Sequence, residues 1–306
     1  MKKRKNKASA AAVNGHLVSK PIRRCFPIFM LPTFIAFCIG FIWPFAQGIY
    51  LSFCKFTIPK NATFVGLSNY VSALQDAGFR YSFGYTTIFA IVSIIAINLF
   101  AFTVAYLLTQ NIKGANIFRT VFFMPNLIGG IVLGYIWSMI FDGILQKYGT
   151  FLLAETKYGF WGLIILMCWQ QIGYMMIIYI AGLQSVPEDM MEAAKIDGAN
   201  KWQTLFKITI PNVMSSFTIC IFLTLTNSFK LFDQNLALTG GMPVKFGADG
   251  SMVNTTEMLA LNIYSTFYTG ANSRGIAQSK AVLFFVLVAI LALAQLRFTR
   301  EKEVQQ

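Results

Sequence analysis

A chain of 306 residues that is 56% hydrophobic, 15% aromatic and only 12% charged lies outside the range of water-soluble domains and reads as a membrane protein. Its net charge of +13 does not make a nucleic-acid binder, because the 25 Lys and Arg residues are spread over the ends and loops instead of forming one basic face. Cys25, Cys38, Cys54, Cys168 and Cys220 are odd in number and have no zinc-like spacing, so neither a disulfide framework nor a metal site is expected.

Residues 1–24 carry eight basic residues, from Lys2 to Arg24, and no acid. Such a run reads as a solvated cytoplasmic tail held inside by the positive-inside rule and drawn to anionic lipid. A cleaved signal peptide is the weaker reading, since the following apolar stretch is too long for one. Apolar runs that fit a bilayer are expected at 28–53, 84–109, 120–141, 159–183, 212–229 and 277–297, within a membrane domain covering 25–300, with 301–306 as a cytoplasmic end. Six spans bring both ends to one side. With that placement sixteen basic residues fall inside and nine outside, Lys280 among the latter, which supports a cytoplasmic amino terminus.

The first outside loop contains FVGLSNYVSAL, where Ser68 is placed to cap a short interfacial helix beginning near Asn69. The third span holds Pro125, Gly129, Gly130 and Gly134. Gly130 and Gly134 lie on one helix face and suit close helix packing, and the same residues permit a kink or a hinge.

Polar groups within spans are costly in lipid and seek a partner or a cavity. They are Asn98, Tyr135, Trp137, Trp169, Gln170, Gln171, Tyr174, Thr224, Thr226, Asn227 and Ser228. Neutral amides and hydroxyls beside flat rings suit a sugar, which offers C–H faces and hydroxyls without charge. Interhelical hydrogen bonding explains the same residues equally. Trp169, Gln170, Tyr174 and Asn227 are selected as path candidates because they lie in the fourth and fifth spans, where the cluster is densest.

Between those spans runs SVPEDMMEAAKIDGANKWQTLFKITIP, residues 185–211. Ser185 and Glu188 are spaced as a capping box with Pro187 in the first turn, and Gly198 supplies a break, so helix, turn, helix is expected. Near the end of the chain Gly240, Gly241 and Pro243 read as a turn, and the segment from Met258 to Phe267 as a partly apolar helix.

Glu192, Ala193, Ala194, Gly198, Ile208 and Pro211, at these spacings, resemble the EAA loop of permease subunits in binding-protein-dependent ABC importers. That loop usually ends Ile-x-Leu-Pro; here Ile210 replaces Leu with similar volume. FVGLSNY, the third span, FDQNLALTGGMP and TEMLALNIYSTFY resemble the sugar-permease members. The resemblance implies an all-α, six-span type I permease fold in the plasma membrane of a prokaryote. It further implies a sister permease, two ATP-binding cassette subunits beneath, and an extracytoplasmic solute-binding protein meeting the last outside loop. By the same resemblance Glu192, Ala193, Ala194, Asp197, Gly198, Ile208 and Pro211 couple to the ATPase, and the substrate is a sugar.

The chain has no phosphate-binding G-x-x-x-x-G-K-[ST] loop, its one His is His16 in the tail, and no catalytic constellation lies in the spans, so no enzyme activity and no cofactor are expected. The alternatives are an ABC permease for a non-sugar solute and an ion-coupled carrier. The latter usually needs a titratable group near the midplane, and no Asp or Glu lies in the middle of an expected span.

Overall fold

The computed structural model describes residues 30–110, 112–247 and 250–300; the tail at 1–24 and the end at 301–306 lie outside them. The chain divides into two compact units, one ending at Leu51 and one beginning at Ser52. The described part of the first is helix α1 (Met30–Ser52), whose last residue opens the second unit. Its 23 residues reach roughly 35 Å at 1.5 Å each, enough to cross a bilayer. Phe34, Phe37, Phe41 and Trp43 are all exposed, as befits a helix that is apolar all round and bathed in lipid.

The second unit contains α2 (Ser68–Gln75), α3 (Ala77–Leu108), α4 (Ala115–Phe123), α5 (Gly130–Leu145), α6 (Thr156–Gln184), α7 (Glu188–Ile196) and α8 (Lys201–Asn212). These are followed by α9 (Met214–Phe229), α10 (Asp233–Leu238), α11 (Leu259–Thr269) and α12 (Arg274–Arg300). The helical expectation holds, with two small antiparallel hairpins added. β1 (Cys54–Lys55) pairs with β2 (Thr63–Phe64), and β3 (Val244–Phe246) pairs with β4 (Met252–Asn254), Phe246 opposite Met252.

Helix α6 lies at the centre and packs chiefly on α3. The buried side of α3 mixes small and hydroxyl-bearing residues with Phe89 and Ile97, while its outer side is apolar. Ser82, Thr86, Ala90, Ser93, Ala101 and Ala105 are buried, whereas Ile88, Ile91, Ile95 and Leu99 are exposed. Small and hydroxyl-bearing residues let helices approach where lipid tails offer no hydrophobic drive to associate. Asn98 gathers three helices: it accepts from Tyr179 Oη of α6 at 2.7 Å, and its Nδ2 reaches Thr224 Oγ1 of α9 at 3.4 Å. Gly173 lies so close to the Phe122 carbonyl that any Cβ would collide with it.

Among the described residues four helices are continuous and apolar enough to span: α1, α3, α6 and α12. The expected third span is broken, and the expected fifth span is one helix that the end of the loop enters at a sharp angle. The segment Ala115–Leu127 meets Gly130–Tyr148 at 101°, and Lys201–Asn212 meets Met214–Phe229 at 69°. The first break falls where Pro125 enters a tight turn at Met124–Leu127 and Gly129 takes extended angles. Broken backbone at membrane depth must be satisfied by protein. Here Gln170 Nε2 donates to the Ile128 carbonyl at 3.2 Å. At the second break Asn212 Nδ2 donates to the Ile208 carbonyl at 2.8 Å. Gly130 and Gly134 serve packing: a Cβ on Gly134 would sit 2.5 Å from Ala237 Cβ, so α10 lies directly on α5.

Ser68 does not cap α2; it is the first helical residue, behind Leu67. Asn69, in the first turn, is buried, and its side-chain amide donates to the Ser52 and Cys54 carbonyls at 2.9 Å.

The placement of Lys280 in an outside loop is also corrected. It lies in α12, fully buried. Its Nζ is 2.5 Å from Asp76 Oδ2, 2.9 Å from Asn262 Oδ1 and 2.7 Å from Thr266 Oγ1. Asp76 in turn caps α3 through the Gly78 amide at 2.8 Å. One buried cation thus ties the starts of α3 and α12 to one face of α11.

Candidate functional site at the two ends of helix α3

With 32 residues, α3 is roughly 48 Å long. Tyr106, Thr109 and Gln110, at its end, line a cavity of about 620 Å³ together with Gln184, Glu188 and Lys195, so the 185–211 loop gathers there. Asp76 and Thr86, at its start, meet Lys280 and Leu259. The loop and the segment around α11 therefore sit at opposite ends.

The loop is helix, turn, helix as expected, with different caps. Ser185 finishes α6, its Oγ donating to the Gly182 carbonyl at 2.7 Å, so no capping box forms with Glu188. Pro187, in extended conformation, takes the cap position of α7. Glu188 and Asp189 in the first turn and Lys195 in the last complement the helix dipole. Gly198 ends the helix at φ +72°, with its own amide bonded to the Lys195 carbonyl at 3.2 Å and that of Ala199 to the Ala194 carbonyl at 2.9 Å. This is the double closure that a left-handed glycine permits. The capping box lies instead at Asn200 and Gln203, each side chain bonded to the other's backbone amide at 2.8 Å. The Asn-x-x-Gln spacing was readable but competed with the Ser185 pattern.

Ala194, Asp197, Gly198 and Ile208 come together around a surface hollow of about 290 Å³, with Gln203 and Lys207 on its rim. Ala194 is buried, while Glu192 and Ala193 are exposed on α7, and Pro211 lies in the last turn of α8, away from the hollow. Ile196 and Trp202 stand out at 85% and 68% exposure, an apolar surface outside the motif positions.

Of the path candidates, Asn227 lines a second cavity of about 270 Å³ with Gln171, Lys230, Phe232, Asp233 and Gln234. Its Nδ2 lies 3.4 Å from Gln171 Oε1. Gln170 is buried and fully engaged: besides the Ile128 carbonyl, it accepts from Gln234 Nε2 at 2.7 Å. Trp169 is half-exposed and meets Trp137 edge to face at 5.5 Å, and Tyr174 packs against the core. The cavity's polar set was therefore caught in part. Lys230, Asp233 and Gln234 follow the fifth span in FKLFDQ, and their signal was a run of polar residues at a span end.

The model of the family described as binding-protein-dependent transport system inner membrane component matches residues 98–302, which includes the loop, both breaks and the cavity. The chain belongs to this family. It is accordingly a multi-pass inner-membrane permease component. The probable starch degradation products transport system permease protein AmyD of Thermoanaerobacterium thermosulfurigenes is 41% identical, over 91% of this chain and 94% of that protein. The multiple sugar-binding transport system permease protein MsmF of Streptococcus mutans is 28% identical, over 90% of this chain and 95% of that one. In fold, the chain is similar to a bacterial ABC transporter involved in the import of the acidic polysaccharide alginate, with a TM-score of 0.75 at 19% identity, covering 93% of this chain and 98% of that one.

Proposed function

We propose that this permease component forms half of the translocation path of an ATP-driven importer for sugars, of the kind released from starch. The observation that carries the substrate class is the 41% identity, nearly end to end, with a permease named for starch degradation products. The neutral amides of Gln171 and Asn227 in the second cavity suit hydroxyl-rich ligands.

In this reading both termini and the 185–211 loop face the cytoplasm, and the loop docks on one of two ATPase subunits. The hollow formed by Ala194, Asp197, Gly198 and Ile208 accepts a partner side chain, Glu192 and Ala193 meet the same surface, and Pro211 holds the foot of the loop. The glycine turn makes α7 and α8 a braced pair, so closure of the ATPases moves them together. ATP biases the spans because the closed ATPase dimer binds one membrane conformation better than the other. A sister permease completes the path, and a solute-binding protein delivers the sugar on the far side.

The test is uptake of labelled maltotriose into proteoliposomes holding both permeases and the ATPase, with the binding protein supplied outside the transport site. Uptake that requires ATP and is abolished by Gly198→Pro, with insertion of the variant unchanged, supports the reading. Asn227→Leu is expected to raise the sugar concentration for half-maximal uptake several-fold while ATPase docking is retained. Uptake driven by an ion gradient without ATP would sink it in favour of a carrier.

A further inference from the structure

Four aromatic rings touch one after another beginning at Phe232 in the cavity lining, the pairs tilted or edge to face. The Phe232 centroid is 5.0 Å from that of Tyr264; Tyr264 is 4.6 Å from Tyr268, and Tyr268 is 5.3 Å from Phe267. Rings in such contact usually fill a core, where they escape water. These do not: Tyr264 is 43% exposed and Tyr268 67%.

The exposure is held in place from behind. Tyr264 and Tyr268 are four residues apart and share one face of α11. Asn262 and Thr266, offset by two residues and therefore on the opposite face, are the two groups of α11 that Lys280 binds, beside Asp76. The buried cation fixes which side of α11 is turned in and, by the same act, which side is turned out. The first ring of the line, Phe232, shares its cavity with the amides of Asn227 and Gln171 and with Lys230 and Asp233.

We infer that Phe232, Tyr264 and Tyr268 form a stacking track for a linear oligosaccharide, delivering the chain end into the polar cavity while the following sugar units lie on the two tyrosines. Pyranose rings present C–H faces that pack on aromatic planes, and the two exposed tyrosines offer such planes next to the cavity. A pre-ordered ring loses little rotamer freedom on contact, so the track adds affinity without a closing motion. Its contribution grows with ligand length, because a disaccharide seated in the cavity leaves the outer ring untouched and a longer chain covers it. The inference rests on the sugar-importer reading.

The experiment is uptake of labelled α-1,4-glucans of two to seven glucose units by the assembled transporter in proteoliposomes, for the wild type and for Tyr268→Ala, Tyr264→Ala and Tyr268→Phe. With Tyr268→Ala, uptake of the heptamer at limiting concentration is expected to fall roughly tenfold while the dimer changes less than twofold. Tyr264→Ala shortens the length at which the loss begins, and Tyr268→Phe restores the long substrates because it keeps the plane. An equal loss at every length would overturn the track and mark this face as a protein contact. Transport of the dimer but not the heptamer by the wild type would overturn the track and leave the importer reading standing; transport of neither would sink both.

Discussion

The two ends of α3 solve the problem of charge in opposite ways. At its start, Lys280 is withdrawn from solvent and saturated by Asp76, Asn262 and Thr266. At its end, Glu192, Lys195 and Asp197 stand exposed on a loop whose regular bonds are almost all its own backbone and caps. The first arrangement is complete within the chain and resists rearrangement, because a buried cation deprived of its partners has no water to turn to. The second is complete as local structure and unfinished as a surface, with an apolar Ile196 and a hollow beside exposed charge. Under the proposed coupling to an ATPase this asymmetry is what a lever requires: one end keeps its shape so that force applied at the other produces displacement.

Substitutions can break the comparison, and the largest effect is expected at the buried end. Lys280→Met leaves the Asp76 carboxylate, itself partly exposed, and the Asn262 and Thr266 oxygens without their cation and should cost about 2–3 kcal/mol. The check is a lowered midpoint of thermal unfolding in detergent; Asp76→Asn in the same background should recover part of the loss. An unchanged midpoint would show that the network is not what anchors α11. Next comes Gly198→Ala, where the left-handed conformation costs a side chain about 1–2 kcal/mol although the space around it is open. A small fall in unfolding midpoint with a large fall in ATP-driven uptake is expected, since the strain falls on the turn between α7 and α8. The smallest stability effect belongs to Glu192→Gln, which should stay within about 0.5 kcal/mol of wild type because the residue is exposed. Its readout is binding of the purified ATPase: weakened binding at unchanged stability sharpens the contrast between the two ends, and unchanged binding removes Glu192 from the docking surface.

Much of the molecule was legible because membrane chemistry is severe. Apolar length located the helices around Met30–Ser52, Ala77–Leu108, Thr156–Gln184 and Arg274–Thr299, since each must satisfy its backbone internally across lipid. The glycine at 198 could be read as a turn because few other residues take a positive φ without cost. The spacing from Glu192 to Pro211 sufficed for the family, which the match over residues 98–302 bears out.

Composition alone determined that the chain crosses a membrane, and local pattern determined where its helices and the glycine turn fall. Tertiary structure decided what no window of sequence contains: that the third span breaks at 101°, that the loop's second helix meets the fifth span at 69°, and that Gln170 repairs the first break. It also decided that Lys280 belongs to the interior and that Tyr264 and Tyr268 face outward. The physical reason is range. Hydropathy and turn chemistry act over a few residues, whereas the partner of a buried polar group lies wherever the fold brings it, for Lys280 at Asp76, 204 residues away in the chain.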